Sequence, residues 1–401
     1  MTQVIILGDV HLGAGTNLGK VSVGSNLNSR ISDQLNLLDW TLEQAIEQLA
    51  EHIVVTGDIF EDPKPHPSLI TLFLSWLKKC QAHHVHVHLI SGNHDVLRNG
   101  FVYSSPLDII SEADLDYINV YKDINTIFID TSAFTFVPFR DRKSLGLTSN
   151  LEAIETLKNV VSYELLTIPS TYNKILIGHL AIEGSLFVGN EVDDISNELF
   201  CPLDMFSGYN YVWMGHVHKP QVLNKNNPYV AHIGSMDISN FGETDHNKHI
   251  IIYNCIENSF KKMNLPTRSL KKINIVVPQG TEDCTQYVVE ELKKINEDFN
   301  QSIVKLEVSL ASPELKSVNK SVIEKQLVGS GAFNVAMISE AKKTILVQKD
   351  QNNTLNTKMD VSSAINKYVS NYLNHLPADK KGAVLDLALE IYNSHVEEAK
   401  E

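Results

Sequence analysis

The 401-residue chain is 43% hydrophobic, long enough to bury a large core and to divide into two or more domains. Its 34 basic against 48 acidic residues leave a net charge of −14, which argues against a protein that grips nucleic acid chiefly through its own charge. Cys80, Cys201, Cys255 and Cys284 are widely spaced and form no C-x-x-C pair, so reduced thiols are expected rather than a zinc knuckle or disulfide scaffold.

No charged-then-apolar leader opens the sequence, and no apolar run approaches the roughly 18–20 residues of a membrane span. A cytoplasmic protein that avoids membranes is the expectation.

In chain order, the apolar run Val4–Leu7 ends in Gly8-Asp9-Val10-His11. Residues 13–29, rich in Gly, Ser and Asn, read as a flexible loop. From Arg30 onward, Ile31, Leu35, Leu38, Leu42, Ile46 and Leu49 recur at helical spacing and predict one apolar face. Strand-like runs near 53–56 and 85–91, separated by a helix near 66–81, lead into Gly57-Asp58 and Gly92-Asn93-His94-Asp95. His83, His84, His86 and His88 read as a polar strand end rather than a second metal site, because Val85, Val87 and Leu89 face the other way.

Further runs near 126–130 and 133–138 precede a helix near 150–165. The run at 174–177 ends in Gly178-His179, and that at 211–214 in Gly215-His216-Val217-His218. Runs near 228–233 and 248–253 follow, and the alternation implies an α/β core.

A composition break follows Asn254. From Lys261 to Lys272 there are five basic residues (Lys261, Lys262, Arg268, Lys271 and Lys272) and no acidic one. They read as a solvated connector or as contacts to a polyanion. Ile273–Val277, a helix near 283–299, Ile303–Leu310, a helix near 318–328 and Phe333–Ile338 make a small α+β region. The polar stretch Asp350–Lys358 has the composition of a linker. Beyond it, Ile365, Tyr368, Val369, Tyr372, Leu373 and Leu376 share one helical face, Pro377 breaks the run, and Val384, Leu387, Ala388, Ile391 and Tyr392 repeat it. Two such stripes behind a linker suit docking onto another protein.

The five Gly-led groups hold Asp, His and Asn where strands run out into loops, which is where α/β sheets gather their sites. Asp9 and His11, like His216 and His218, sit at i and i+2 and can converge on one ion. Such nitrogen and oxygen donors suit a pair of divalent cations, which phosphodiester hydrolysis uses to acidify a water and offset phosphoryl charge. Asp58 is the natural shared ligand.

These groups, in this order, resemble the D-x-H, GD, GNHD, GH and GHxH signatures of the calcineurin-like metallophosphoesterases. The resemblance implies a two-sheet sandwich flanked by helices. It implies one metal held by Asp9, His11, Asp58 and His218, and another by Asp58, Asn93, His179 and His216. It also implies that His94 reaches the scissile phosphate, oriented by Asp95. Gly57-Asp58-Ile59-Phe60 with Pro63-Lys64-Pro65-His66-Pro67, Gly178–Gly184, and Ile233-Gly234-Ser235 with Phe241-Gly242-Glu243 narrow the likeness to DNA-repair nucleases of the SbcD type, counterparts of the Mre nucleases. It covers roughly residues 1–255.

That likeness implies a nuclease domain over 1–258, an α+β capping domain over 270–345 that positions DNA, a linker over 346–358 and a helical tail over 359–398. The tail would bind an SbcC-like SMC-family ATPase through Ile365, Tyr368, Tyr372, Leu376, Leu387 and Ile391. Manganese is the implied ion, with magnesium the alternative, and a homodimer is expected. Arg30, Arg140, Arg142, Lys261, Lys262, Arg268, Lys271 and Lys272 are the candidate DNA contacts. The compact length also fits a phage-encoded version. In one departure, Glu61 stands where the subfamily often has a His linked to exonuclease action. Two other readings remain open: a stand-alone phosphodiesterase or phosphatase for small substrates, and a non-catalytic scaffold for an ATPase.

Overall fold

The computed structural model describes residues 2–21, 24, 26–99, 102–187, 198–342, 382 and 384–389. Tertiary contacts divide the chain into two units, Met1–Thr344 and Ile345–Glu401.

In the first unit, Gln3–Leu7 lies inside a six-stranded sheet of order Ser259–Asn264, His249–Asn254, Gln3–Leu7, Ala50–Val55, His86–Ile90, Ile118–Tyr121. It pairs parallel with Ala50–Val55 and antiparallel with His249–Asn254. The strand period sends Val4 and Ile6 to one face and Ile5 and Leu7 to the other. All four are fully buried, so both faces of the sheet are covered.

A second six-stranded sheet has the order Gln221–Asn224, Tyr229–His232, Tyr211–Met214, Asn173–Gly178, Ser132–Val137, Asn125–Ile129. The two sheets meet through Val4, Ile6, Val54, Phe134, Ile175, Ile177 and Trp213. The outer face of the first sheet packs Ile5, Leu7, Ile53 and Val55 against the helices Ser29–Glu47 and Pro67–Ala82. The outer face of the second packs Leu176, Val212 and Met214 against Leu157 and Val161 of the helix Asn150–Thr167. This is the expected sandwich flanked by helices.

The helix Ser29–Glu47 starts where Asn28 accepts a hydrogen bond from the Arg30 N–H, as a cap should. Its buried face differs from the one expected from hydrophobic spacing. Leu37, Leu38, Leu42 and Ala45 are buried, whereas Ile46 and Leu49 are exposed. Polar residues share the core face because they find partners there. Gln34 bonds the backbone of His11, Gly13 and Ala14, and Thr41 Oγ1 donates to the Leu37 carbonyl at 2.8 Å. Gln34 thereby ties the helix to the first ligand loop.

Residues 13–21 do not form a featureless loop. Thr16–Leu18 is a 3₁₀ turn, Leu18 is buried, and the Leu18 carbonyl accepts from Asn334 Nδ2 at 2.7 Å.

Leu270–Val277, Ile303–Leu310 and Asn334–Lys342 form a three-stranded parallel sheet. The helices Cys284–Lys294 and Lys320–Gly329 are its crossovers. Buried and exposed residues alternate from Ile273 to Val277, so there one face is covered and the other meets solvent. The first crossover ends at Lys294, earlier than the spacing predicts. Ile295 is already extended, and Phe299 reaches the same core from the loop.

His83 and His84 end the helix Pro67–Ala82, but His88 is buried between the sheets. His88 Nε2 lies 3.0 Å from His52 Nδ1, and His88 Nδ1 lies 2.9 Å from the Tyr121 hydroxyl. His86 stacks on the His52 ring. Burial lowers both rings, His88 to about 3 and His52 to about 4. The expected polar strand end is thus a neutral, largely buried histidine pair.

In the second unit, residues 382 and 384–389 are described, and they are helical. Leu387 is among them, whereas Ile365, Tyr368, Tyr372, Leu376 and Ile391 lie outside the described residues. All four cysteines are buried and free. Among the described residues, no helix is long and apolar enough to cross a membrane.

Candidate metal centre

The Gly-led groups after Leu7, Val55, Ile90, Ile177 and Met214 come together at one end of the two sheets. Their loops bond to one another: the Val10 and His11 N–H groups donate to the Asp58 carbonyl at 3.0 and 2.8 Å, and the His216 N–H donates to Asp9 Oδ2 at 2.8 Å. His11, Asp58 and His216 adopt positive φ, a conformation L residues avoid unless their surroundings impose it. Gly92 and Gly215 have no room for a side chain. A Cβ would overlap Asp58 at the first and Asp9 at the second.

Asp58 stands at the centre. Its Oδ2 lies 3.4 Å from His11 Nε2 and 3.3 Å from His179 Nε2, and its Oδ1 accepts from the His94 N–H at 2.9 Å. On one side His11 Nε2 and His218 Nε2 are 2.9 Å apart. On the other, Asn93 Oδ1 lies 3.0 Å from His179 Nε2 and 2.9 Å from His216 Nδ1. Metal-type donor atoms of Asp9, His11 and His218, of Asp9, Asp58 and His179, and of His11, Asp58 and His94 fall within 4.8 Å of one another.

The outer ring nitrogens of two of these histidines are hydrogen-bonded, and those of the other two lie close to a glutamate. His179 Nδ1 donates to the Thr56 carbonyl at 2.8 Å, and His218 Nδ1 lies 3.3 Å from Glu243 Oε1. His11 Nδ1 lies 2.9 Å from Glu61 Oε2, and His216 Nε2 lies 3.2 Å from Glu198 Oε1, both within ion-pair distance but without hydrogen-bond geometry. Such outer partners fix which ring nitrogen faces an ion and raise its basicity. Buried Lys248 compensates Glu243 at 2.7 Å and also donates to Ser235 Oγ and the His218 carbonyl.

The electrostatics ask for added positive charge. Burial opposes charging His179, yet Asp58 and Asp9 lift its ring to about 10. Burial also opposes the Asp58 carboxylate, but His179, His11 and His94 hold it well below the usual range. Six nitrogen- and oxygen-donor residues around the shared Asp58 carboxylate fit two divalent cations, with Asp9, His11 and His218 on one side and Asn93, His179 and His216 on the other.

His94 is half-buried beside this cluster, its ring 5.0 Å from that of His11, and its Nδ1 donates to the Glu61 carbonyl at 2.9 Å. Asp95 does not orient it directly, contrary to the role the resemblance implied. The Asp95 carboxylate is fully buried and accepts from the N–H groups of Gly92, Ile59 and Phe60 at 2.9–3.1 Å. It clamps the Asp58 loop to the His94 loop.

The candidate DNA contacts largely serve the fold. Arg30 is fully buried, pairs with Asp33 at 2.7 Å and with Asp237, and donates to the Ile238 carbonyl, so it cannot meet DNA. Arg268 pairs with Asp33, donates to the Gln301 carbonyl and covers the Phe333 ring. Arg140 donates to the Phe139 and Lys122 carbonyls and pairs with Asp123. Lys271 faces Glu297 and Lys272 faces Glu307, while Lys261 bonds Gln48. Lys262 is exposed on the strand Ser259–Asn264, and Arg142 is half-buried.

Glu198, Glu243 and Lys248 stand behind the candidate ligands His216 and His218, and the ligand motifs do not reveal them. Their roles arise from loops that meet in space. Only the Phe241-Gly242-Glu243 segment carried a signal, as part of the nuclease likeness.

The family model described as calcineurin-like phosphoesterase matches residues 2–220. The chain belongs to the calcineurin-like phosphoesterases. Within that family it is similar to the SbcD component of the SbcCD nuclease of Staphylococcus saprophyticus, 24% identical over 71% of this chain and 75% of that protein. It is likewise similar to the DNA double-strand break repair protein Mre11 of Methanocaldococcus jannaschii, 23% identical over 70% of this chain and 69% of that one. A solved dimetal phosphatase from Danio rerio superposes with a TM-score of 0.38 at 10% identity, covering 66% of this chain and 99% of that chain.

Proposed function

We propose that this phosphoesterase is a manganese-dependent DNA nuclease that cleaves phosphodiester bonds at DNA ends, the catalytic subunit of a complex with an SbcC-like ATPase. The observation that carries the metal chemistry is Asp58 Oδ2, set between His11 and His179 with further donors on either side. When bound, two divalent cations lower the pKa of a water and offset phosphoryl charge. His94 faces the phosphate and stabilises its charge or gives a proton to the leaving oxygen, a task suited to a ring whose unperturbed pKa is about 6.5. The Glu61 carbonyl holds the His94 ring, and the Asp95 clamp keeps His94 beside Asp58. Magnesium is the alternative ion.

The likeness to the two repair proteins supports DNA as the substrate. With a net charge of −14 and several candidate basic side chains already paired, a partner would supply much of the DNA affinity. In this reading residues 1–258 form the nuclease domain, 270–345 position DNA, and 359–398 past the linker 346–358 bind the ATPase. A homodimer acting in the cytoplasm completes it. The test is digestion of linear and circular duplex DNA with manganese, with and without the ATPase. Manganese-dependent cleavage supports the reading; activity on a small phosphodiester but none on DNA ends favours a small-substrate phosphodiesterase.

A further inference from the structure

Three of the ligand histidines back onto glutamates, and one of these differs from the others. The side chain of Glu198 is 9% exposed and that of Glu243 is 0%, whereas that of Glu61 is 48% exposed. Glu61 also acts twice. Its Oε2 lies 2.9 Å from His11 Nδ1, and its main-chain carbonyl accepts from His94 Nδ1 at 2.9 Å. A single residue at the pocket rim therefore touches a metal-type imidazole with its side chain and the phosphate-facing imidazole with its backbone.

Resting on the two-metal reading above, we propose that Glu61 is a positioning residue whose carboxylate sets the affinity of the cation on the His11 side, while its backbone independently holds His94. The Glu61 carboxylate is 2.9 Å from Nδ1 without hydrogen-bond alignment, and its charge favours the imidazole proton on that nitrogen. The Nε2 lone pair is then left pointing inward, toward Asp58 and His218. The negative charge behind the ring also makes Nε2 a better donor. Removing the side chain leaves the carbonyl in place, so the two roles separate. The half-exposed position means that truncation opens no buried hole.

The test is calorimetric titration of manganese chloride into the metal-stripped full-length protein, its Glu61→Ala variant and its Glu61→Gln variant. Wild type should bind two ions. Glu61→Ala should weaken one binding class by about 10–100-fold, the range for loss of an outer partner, and leave the other unchanged. Glu61→Gln keeps an oxygen facing Nδ1 but loses the charge, so its affinity should fall between the two. The manganese concentration that half-saturates hydrolysis of a small chromogenic phosphodiester should shift in parallel. Unchanged affinities in both variants would overturn the proposal, as would equal loss of both classes together with a lowered melting temperature. If Glu61→Ala does not fold, Glu61→Gln decides alone, and an unshifted isotherm overturns the idea. A wild-type protein that binds no pair of ions would defeat the underlying two-metal reading, a result distinct from an unaffected variant.

Discussion

The His94 backbone N–H donates to Asp58 Oδ1 at 2.9 Å, tying the proposed phosphate-facing residue directly to the carboxylate at the centre of the candidate ligand cluster. Replacing Asp58 with Ala should therefore disturb both halves of the pocket. Metal analysis of Asp58→Ala should find both ions lost or poorly held, and hydrolysis should be abolished. Absence of tightly bound metal in the wild type, with Asp58→Ala behaving like it, would point to a non-catalytic scaffold.

His94→Ala removes a group beside the ligands while leaving the seven donors in place. It should retain both ions and lower kcat by about 10²–10⁴-fold, the usual share of a positioned acid or base. Metal content measured alongside kcat and KM separates this from a ligand role. Loss of an ion would make His94 a ligand, which its proximity to His11 and Asp58 would then explain.

Lys248 and Glu243 form a fully buried ion pair behind His218. Lys248→Met should leave Glu243 buried without its cation and destabilise the protein by about 3–5 kcal/mol. Urea unfolding followed by tryptophan fluorescence measures this, because Trp213 is buried between the sheets. A shift within experimental error would show that the pair is not worth its burial.

The His52–His88 pair predicts a stability that depends on pH. Burial holds the folded pKa values at about 4 and about 3, below the ordinary histidine value of 6.5. Between pH 6.5 and those values the unfolded chain binds more protons, so stability falls as the pH drops through that window. Each histidine contributes at most about 1.4 kcal/mol per pH unit. Comparing urea midpoints at neutral and mildly acidic pH, for wild type and His88→Phe, checks the sign: the variant should show a flatter dependence.

The residues that gather at the candidate metal centre were legible because each sits in a short local group, and a Gly-led loop after an apolar run can be read without knowing what it meets. Most strands were legible for the same reason, their apolar runs being local, whereas the partly exposed edge strands Ile118–Tyr121, Gln221–Asn224 and Ser259–Asn264 were not. What surrounds the ligands was not. Arg30 looks like a free cation in sequence, but Asp237 neutralises it from 207 positions away. Asp95 adjoins His94 in the chain, yet its carboxylate points to the Asp58 loop. Ile46 and Leu49 continue the apolar spacing in sequence, but the helix ends at Glu47, both are exposed, and Gln34 and Thr41 hold the core-facing side by satisfying their own hydrogen bonds. Glu198 and Glu243 lie behind histidines only because distant loops converge.

The expected docking role of the C-terminal tail predicts that a chain lacking residues 359–398 fails to co-purify with an SbcC-like ATPase while keeping metal-dependent hydrolysis. Retention of the ATPase by the truncated chain would place the docking surface elsewhere.

Anomalous scattering from crystals soaked in manganese tests the central claim most directly. The account predicts two peaks about 3.5–4 Å apart, with Asp58 between them, one near His11 and His218 and the other near Asn93, His179 and His216. A single peak, or none at full soak, would contradict it.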